Sequence, residues 1–218
     1  MAQSTLNNLL RKRRPPEHEI KAYLSGCGIR VPKGRYLPKG APLPMLRGLA
    51  FPLVAKVVSP LIAGKSDAGG VISEIDGRIA LKNAVASLLK IRGARGVLIE
   101  EQAKPGLELI VGGVLDPQFG PVVMFGLGGV ATEIFRDVVF AAAPLLRDDA
   151  DWLLSTLKSR RLLEGFRGSR PVDRESLVRI LFVVSDMIST GRIAEMDLNP
   201  VVAYPDAAIV LDSKIRTL

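Results

Sequence analysis

The stretch IAEMDLNPVVAYPDAAIVLDSKI, residues 193–215, most constrains what this chain can build. Two apolar runs, 193–198 and 207–211, are divided by Tyr204-Pro205-Asp206, a pattern that predicts two short strands joined by a turn. Two-residue alternation puts Glu195 and Asp197 on one strand face; Asn199 follows at the bend, and Asp212 closes the second run. Antiparallel pairing would bring Asn199 and Asp212 together at one end of the hairpin as hard oxygen ligands. Mg²⁺ takes oxygen ligands octahedrally and keeps water or substrate phosphate in its shell, so such a pair suits a site shared with a nucleotide. The other reading is a hairpin with solvated polar ends.

A chain of 218 residues, 48% of them hydrophobic, is long and apolar enough for one large domain or two small subdomains with real cores. The single cysteine, Cys27, has no internal disulfide partner and points to a reducing compartment. Leu9-Leu10 runs at once into Arg11-Lys12-Arg13-Arg14, so no signal-peptide core opens the chain. The longest uncharged stretch, residues 117–132, is too short to cross a bilayer and is interrupted by Gly and Pro, which predicts a soluble protein. A net charge of +8 favours anionic partners. Aromatic residues, at 5%, are not interleaved with the basic clusters, which argues against a base-stacking surface for nucleic acid.

Taken in order, residues 6–25 predict an opening helix broken or restarted at Pro15-Pro16, and residues 29–32 a short strand. Residues 38–44 are too proline-rich for an interior element. The run FPLVAKVVSP predicts a buried strand with Lys56 at its centre. An amine there must find an anion or reach water, so Lys56 reads either as a phosphate contact or as a solvent-facing lysine of an edge strand. Gly64-Lys65-Ser66-Asp67-Ala68-Gly69-Gly70 follows, either a tight loop or a phosphate-binding one, for it lacks the GxxxxGK[ST] pattern. Residues 76–91 predict a helix. Residues 97–101 and 108–115 predict two strands paired as a hairpin, and 121–125 another that opens into Gly126-Leu127-Gly128-Gly129, with Glu133 and Asp137 beyond. Helical periodicity returns over 144–163 and again over 173–189, where Asp173 is the expected cap. This alternation predicts an α+β, or mixed α/β, plan; no GxGxxG follows the first strand, so a dinucleotide-binding sheet is not supported.

The phrases FPLVAKVVSP, KSDAGGV, ELIVGGVLDPQFGPVVMFGLGGVATEIFRDVVFAAAPL, LLEGFRGSRPVD and AEMDLNPVVAYPDAAIVLD, in this order along nearly the whole chain, resemble the ATP-grasp domain of nucleoside-diphosphate-forming acyl-CoA synthetases. That resemblance implies an ATP-grasp fold, residues 1–218 forming one domain whose two subdomains, about 20–97 and 98–218, enclose the nucleotide. It implies the role of a beta subunit that binds ADP or ATP with Mg²⁺. Phosphoryl would pass between ADP and a phosphohistidine on a CoA-binding alpha subunit, within a cytoplasmic hetero-oligomer. By the same resemblance Lys56 contacts nucleotide phosphates, Glu101 lies where ribose and adenine are held, and Glu108 opens the strand on the phosphate side; Lys56 and Glu108 would serve catalysis. The Gly69-Gly70 and Gly128-Gly129 turns would let backbone approach the nucleotide, and Asn199 and Asp212 would hold the metal. Gly64 stands where relatives commonly carry histidine, which leaves His18 as the chain's one histidine, at no family position. Two other functions fit the same domain: a carboxylate–amine ligase, and a nucleotide-binding regulatory subunit without catalysis.

Overall fold

The computed structural model describes residues 2–43, 46–62, 65, 68–129 and 137–218, with the side chains of 2–4 left aside. Gly64, Ser66, Asp67 and Glu133 lie outside the described residues. Backbone contacts divide the chain into two units, Pro32–Lys104 and a larger one made of Met1–Val31 with Pro105–Leu218. The seam therefore falls at 104/105, not at 97/98, and residues 20–31 belong to the larger unit, not to the smaller. The physical reason is that residues 97–101 lie in an inner strand of the smaller sheet, and the second helix with the segment after it buries Ile20, Leu24 and Ile29 in the larger core.

The smaller unit is a four-stranded antiparallel sheet of β1 (Gly34–Pro38), β2 (Leu53–Val58), β3 (Val71–Ile75) and β4 (Gly96–Glu101), in the order β1-β4-β2-β3. Helix α3 (Arg78–Leu88) repeats Leu81, Ala84, Val85 and Leu88 at helical spacing, and these bury against Leu53, Ala55, Val57, Val97 and Ile99. Strand β2 has neighbours on both sides, which overturns the edge-strand reading of Lys56.

In the larger unit, β5 (Leu107–Asp116), β6 (Gly120–Leu127), β7 (Val138–Ala142), β8 (Ile193–Tyr204), β9 (Ala207–Val210) and β10 (Lys214–Thr217) form one antiparallel sheet. Its order is β10-β8-β5-β6-β7, with β9 also pairing β8. Strands β4 and β5 do not form the expected hairpin. They join different sheets, and the segment between them carries the chain from one unit to the other. Helices α1 (Ala2–Leu9), α2 (Glu17–Gly26), α4 (Arg147–Thr156), α5 (Arg161–Glu164) and α6 (Arg174–Ile188) supply this unit's core with the sheet. Helix α6 buries Leu177, Ile180, Leu181, Val184 and Ile188, and Asp173 caps it by accepting from the Ser176 amide. A Cβ on Gly113 would come within 3.2 Å of Val184, so that face of β5 meets α6, whereas Gly112 turns to the opposite face.

The terminal segment differs from its expected form. Strand β8 runs on through Asn199 and Pro200 to Tyr204, leaving Pro205-Asp206 as the turn, because an extra residue of β8 is absorbed where the β5–β8 register shifts between Leu109 and Val111. Proline lacks a ladder donor and is tolerated at such an irregularity. Residues 29–32 form only an isolated bridge, Arg30 to Ile209. No helix among the described residues is long and apolar enough to cross a membrane.

Candidate functional site

Strand β8 pairs with β9 through Val201↔Val210 and Val202↔Ile209. The Leu211 amide continues that ladder, donating to the Pro200 carbonyl at 2.9 Å. Continued one step, this register, which is also that of Asp197 with Lys214, puts Asn199 opposite Asp212. The chain then turns through Ser213, whose amide donates to Asp212 Oδ1 at 2.8 Å, and returns as β10 with Lys214 opposite Asp197. Asp212 thus sits where β9 gives way to β10, both lying along β8.

Sequence reasoning left Asp197 without a role. Alternation along β8 puts Glu195, Asp197 and Asn199 on one face, while Met196 and Leu198 are buried on the other. Asp197 Oδ1 is buried and has no hydrogen-bond partner among the described residues. Burial pushes its carboxyl above the usual carboxylate range; Lys214 opposes this, and Asp212 and Glu195 add to it. The signal was present in the two-residue spacing Asp197–Asn199, which places a second acid beside the expected pair. Asn199, Asp212 and the orphaned Asp197 oxygen are hard oxygen donors of the kind Mg²⁺ takes. Among the described residues no three or more His, Cys, Asp or Glu side chains gather closely enough to hold a metal by themselves. Such an ion would need further oxygens from water or a phosphate.

Further along the same β5–β8 pairing, Glu108 is exposed and opposite Val202, three residues from Asn199. The Gly128 amide donates to the Glu108 carbonyl at 2.8 Å, and a Cβ on Gly128 would lie 2.7 Å from the Leu109 backbone. Gly129 has φ +64, and a Cβ there would lie 2.3 Å from Glu108 Oε2. Gly128 is required by close approach to the Leu109 backbone, and Gly129 by its positive φ, its Cβ meeting only the mobile end of the Glu108 side chain. Within the larger unit, Glu108 with Gly128 and Gly129, and Asn199 and Asp197 with Asp212, lie on one face of adjacent strands β5 and β8, since Gly112, four residues from Glu108, is opposite Asp197.

The smaller unit carries Lys56, Gly69, Gly70 and Glu101. Lys56 Nζ lies 2.9 Å from Glu100 Oε2, with the two residues 8% and 1% exposed. Their strands pair Val54 with Glu100 and Lys56 with Leu98, so the charges are diagonal neighbours on one sheet face. Glu100 is the residue sequence reasoning missed; its signal was an acid inside a buried strand. Glu101, its neighbour, instead accepts from the Ala50 amide through Oε1 at 2.9 Å. Gly70 donates to the Lys65 carbonyl at 2.7 Å and accepts from the Val57 amide at 2.8 Å, fastening the loop to β2 one residue from Lys56. A Cβ on Gly70 would meet Val57 at 2.7 Å, whereas Gly69, at φ +63, has open space around it.

Comparison with known proteins places the fold in a family. The ATP-grasp domain family matches residues 10–217. The beta subunit of acetate–CoA ligase [ADP-forming] I from Pyrococcus furiosus is 38% identical over 210 residues, covering 91% of this chain and 90% of that protein. The solved structure of the dinucleotide-forming acetyl-coenzyme A synthetase 1 of Ca. Korarchaeum cryptofilum, in complex with coenzyme A, Ca-AMPCP and HgCl+, superposes with a TM-score of 0.89 at 38% identity, over 100% of both chains. A second structure of that synthetase contains coenzyme A and Mg-AMPPCP, with its phosphohistidine segment pointing towards the nucleotide binding site; it matches at TM-score 0.83 and 38% identity, again over 100% of both chains. The chain therefore belongs to the ATP-grasp domain family, alongside the beta subunits of ADP-forming acetate–CoA ligases.

Proposed function

We propose that this chain is the nucleotide-binding beta subunit of an ADP-forming acyl-CoA synthetase of the acetate–CoA ligase type. It binds ADP or ATP with Mg²⁺ and transfers phosphoryl between ADP and a phosphohistidine carried by a CoA-binding alpha subunit, in the cytoplasm. The names of its relatives favour acid–CoA ligation over the carboxylate–amine alternative. The observation that carries the reading is the register setting Asn199 against Asp212, with the unpartnered Asp197 oxygen beside them.

Bound Mg²⁺ would neutralise phosphate charge at Asn199 and Asp212. The chain's own residues do the rest by positioning. Lys56, held in place by Glu100, offsets charge on the nucleotide phosphates. Glu108, wrapped by Gly128 and Gly129, presents its carboxylate on the phosphate side, and the glycine turns at Gly69-Gly70 and Gly128-Gly129 admit the nucleotide close to the backbone. Glu101 serves the ribose and adenine. In the synthesis direction the histidine N–P bond breaks, a bond forms from phosphorus to a terminal oxygen of ADP, and the imidazole stays with the partner. His18 lies half-buried on α2 beside Glu19, and burial holds its imidazole below the usual range. His18 is the chain's one histidine and matches no phosphoryl-carrier position of the family, so this reading puts the carrier on the alpha subunit. Val114 and Phe140, exposed on strands of the larger unit, offer apolar surface to that subunit.

The test is calorimetry of ADP and ATP binding with and without Mg²⁺, using wild type and Asp212→Ala, followed by single-turnover transfer from the phosphorylated partner. Mg²⁺-dependent binding lost in Asp212→Ala, with label passing into ATP and none staying on the beta subunit, is expected. Tight binding indifferent to both metal and substitution would overturn the metal assignment.

A further inference from the structure

We infer that Glu17 and Lys21 form a positioning device for Asp212. This deepens the metal reading of Asn199 and Asp212 and rests on it. The pair lies one turn apart on α2, with Nζ 2.7 Å from Glu17 Oε1, and both residues are 4% exposed. Lys21 Nζ also donates to the carbonyl of Leu211 at 2.7 Å, across 190 residues of sequence. That carbonyl and the Asp212 amide belong to one planar peptide unit, so fixing the oxygen fixes the plane from which Asp212 departs.

The other side of Leu211 is fixed as well. Its amide donates to Pro200, the residue after Asn199. Residues 211–213 lie between β9 and β10, outside the regular strands. Lys21 on one side and Pro200 on the other therefore hold the connection that aims Asp212 along β8. Burying an ion pair is expensive, and an apolar pair would pack α2 at least as well. What an apolar pair cannot do is donate to the Leu211 carbonyl. Groups that orient a metal ligand without touching the ion commonly change metal affinity by about 10–100-fold when removed.

The test uses the full chain with Mn²⁺ as the probe ion and ADP as the nucleotide. Glu17→Gln keeps the lysine on Leu211, Lys21→Met removes it, and Glu17→Gln/Lys21→Met removes it without stranding a buried carboxylate. Asp212→Ala serves as the reference. Electron paramagnetic resonance titration should show Mn²⁺ affinity weakened about tenfold or more in Lys21→Met and in the double variant, and near wild type in Glu17→Gln. ADP affinity without metal should stay within about twofold of wild type, since the pair acts on the metal ligand alone. In metal-free protein, amide hydrogen exchange at residues 211 and 213 should speed up in the double variant while the α6 amides hold. Unchanged Mn²⁺ affinity in a folded double variant, with Asp212→Ala defective, would overturn the positioning role alone. Unchanged affinity in Asp212→Ala would overturn the metal reading and this inference with it, and exchange raised uniformly across the unit would reduce the pair to a packing element.

Discussion

Lys56 and Glu100 face each other on adjacent strands of the smaller sheet as a buried ion pair, Nζ to Oε2 at 2.9 Å. The lysine that would neutralise nucleotide phosphate thus also helps compensate a carboxylate 1% exposed. Removing one partner of a buried pair costs about 3–5 kcal/mol, whereas replacing both by groups of similar size is often neutral.

Lys56→Met should therefore unfold more easily by about that amount, while Lys56→Met/Glu100→Gln should recover most of the loss. On sequence alone the single replacement looks harmless, being apolar and of similar length in an apolar strand; the buried Glu100 reverses that expectation. Denaturant unfolding of the three proteins checks it. Phosphoryl transfer should be slowed about a hundredfold in the double variant, where a folding defect no longer confuses the rate. Wild-type stability in Lys56→Met would dismiss the pair as a structural element.

Asp197→Asn separates stability from metal binding. Its buried oxygen lacks a partner and stands near Asp212 and Glu195, so its negative charge is held at a cost. Folding without metal should become more favourable by about 1 kcal/mol or more at pH 7, while Mg²⁺-dependent nucleotide binding should weaken. Thermal unfolding with and without Mg²⁺-ADP measures both. A variant less stable than wild type in metal-free buffer would contradict the proposed cost.

Gly129 and Gly69 both have positive φ, +64 and +63, yet they predict different couplings. Alanine at either position meets backbone strain of about 1–2 kcal/mol. Only at Gly129 does the new Cβ also run into Glu108. Gly129→Ala should consequently cost less in a Glu108→Ala background than in wild type, whereas Gly69→Ala should cost the same in both. Two double-mutant cycles in urea decide the matter, and additive effects at Gly129 would remove the close approach from the account.

What could be read in the sequence were features with local causes. The 3.6-residue apolar stripe of α6 and its Asp173 cap, the apolar run around Lys56, and the turn at Tyr204-Pro205-Asp206 each depend on neighbours in the chain. Features with distant causes were hidden. Strand β10 exists because Lys214 and its successors find Asp197, Met196 and Glu195 on β8, and β1 pairs with β4 across sixty residues of chain. Nothing between residues 97 and 115 says that its two strands belong to different sheets, since alternation fixes a strand's faces but not its neighbours. Glu100 and Lys21 were missed for the same reason: each is an ordinary charge until the fold supplies its partner.

Asp137 offers a test in acid. It immediately precedes β7, and its two carboxylate oxygens accept from the amides of Lys158 and Ser159 at 3.0 and 2.7 Å, tying the α4–α5 connection to the sheet. Burial alone would raise its carboxyl, but hydrogen bonds from the Ser159 hydroxyl and the two amides, with the charge of Lys158, outweigh burial and hold it below the usual range. A carboxyl depressed in the folded state stabilises fully above its unfolded value, near 4, and loses that contribution as pH falls through the folded value. Asp137→Asn keeps the size but not the charge, and an amide cannot accept through both of its ends. It should cost about 1.5–3 kcal/mol at pH 7, with the gap to wild type narrowing below about pH 4. Urea unfolding of both proteins from pH 7 to pH 3 reads the difference directly. A gap that stayed constant over that range would assign the loss to packing and not to the ionised carboxylate.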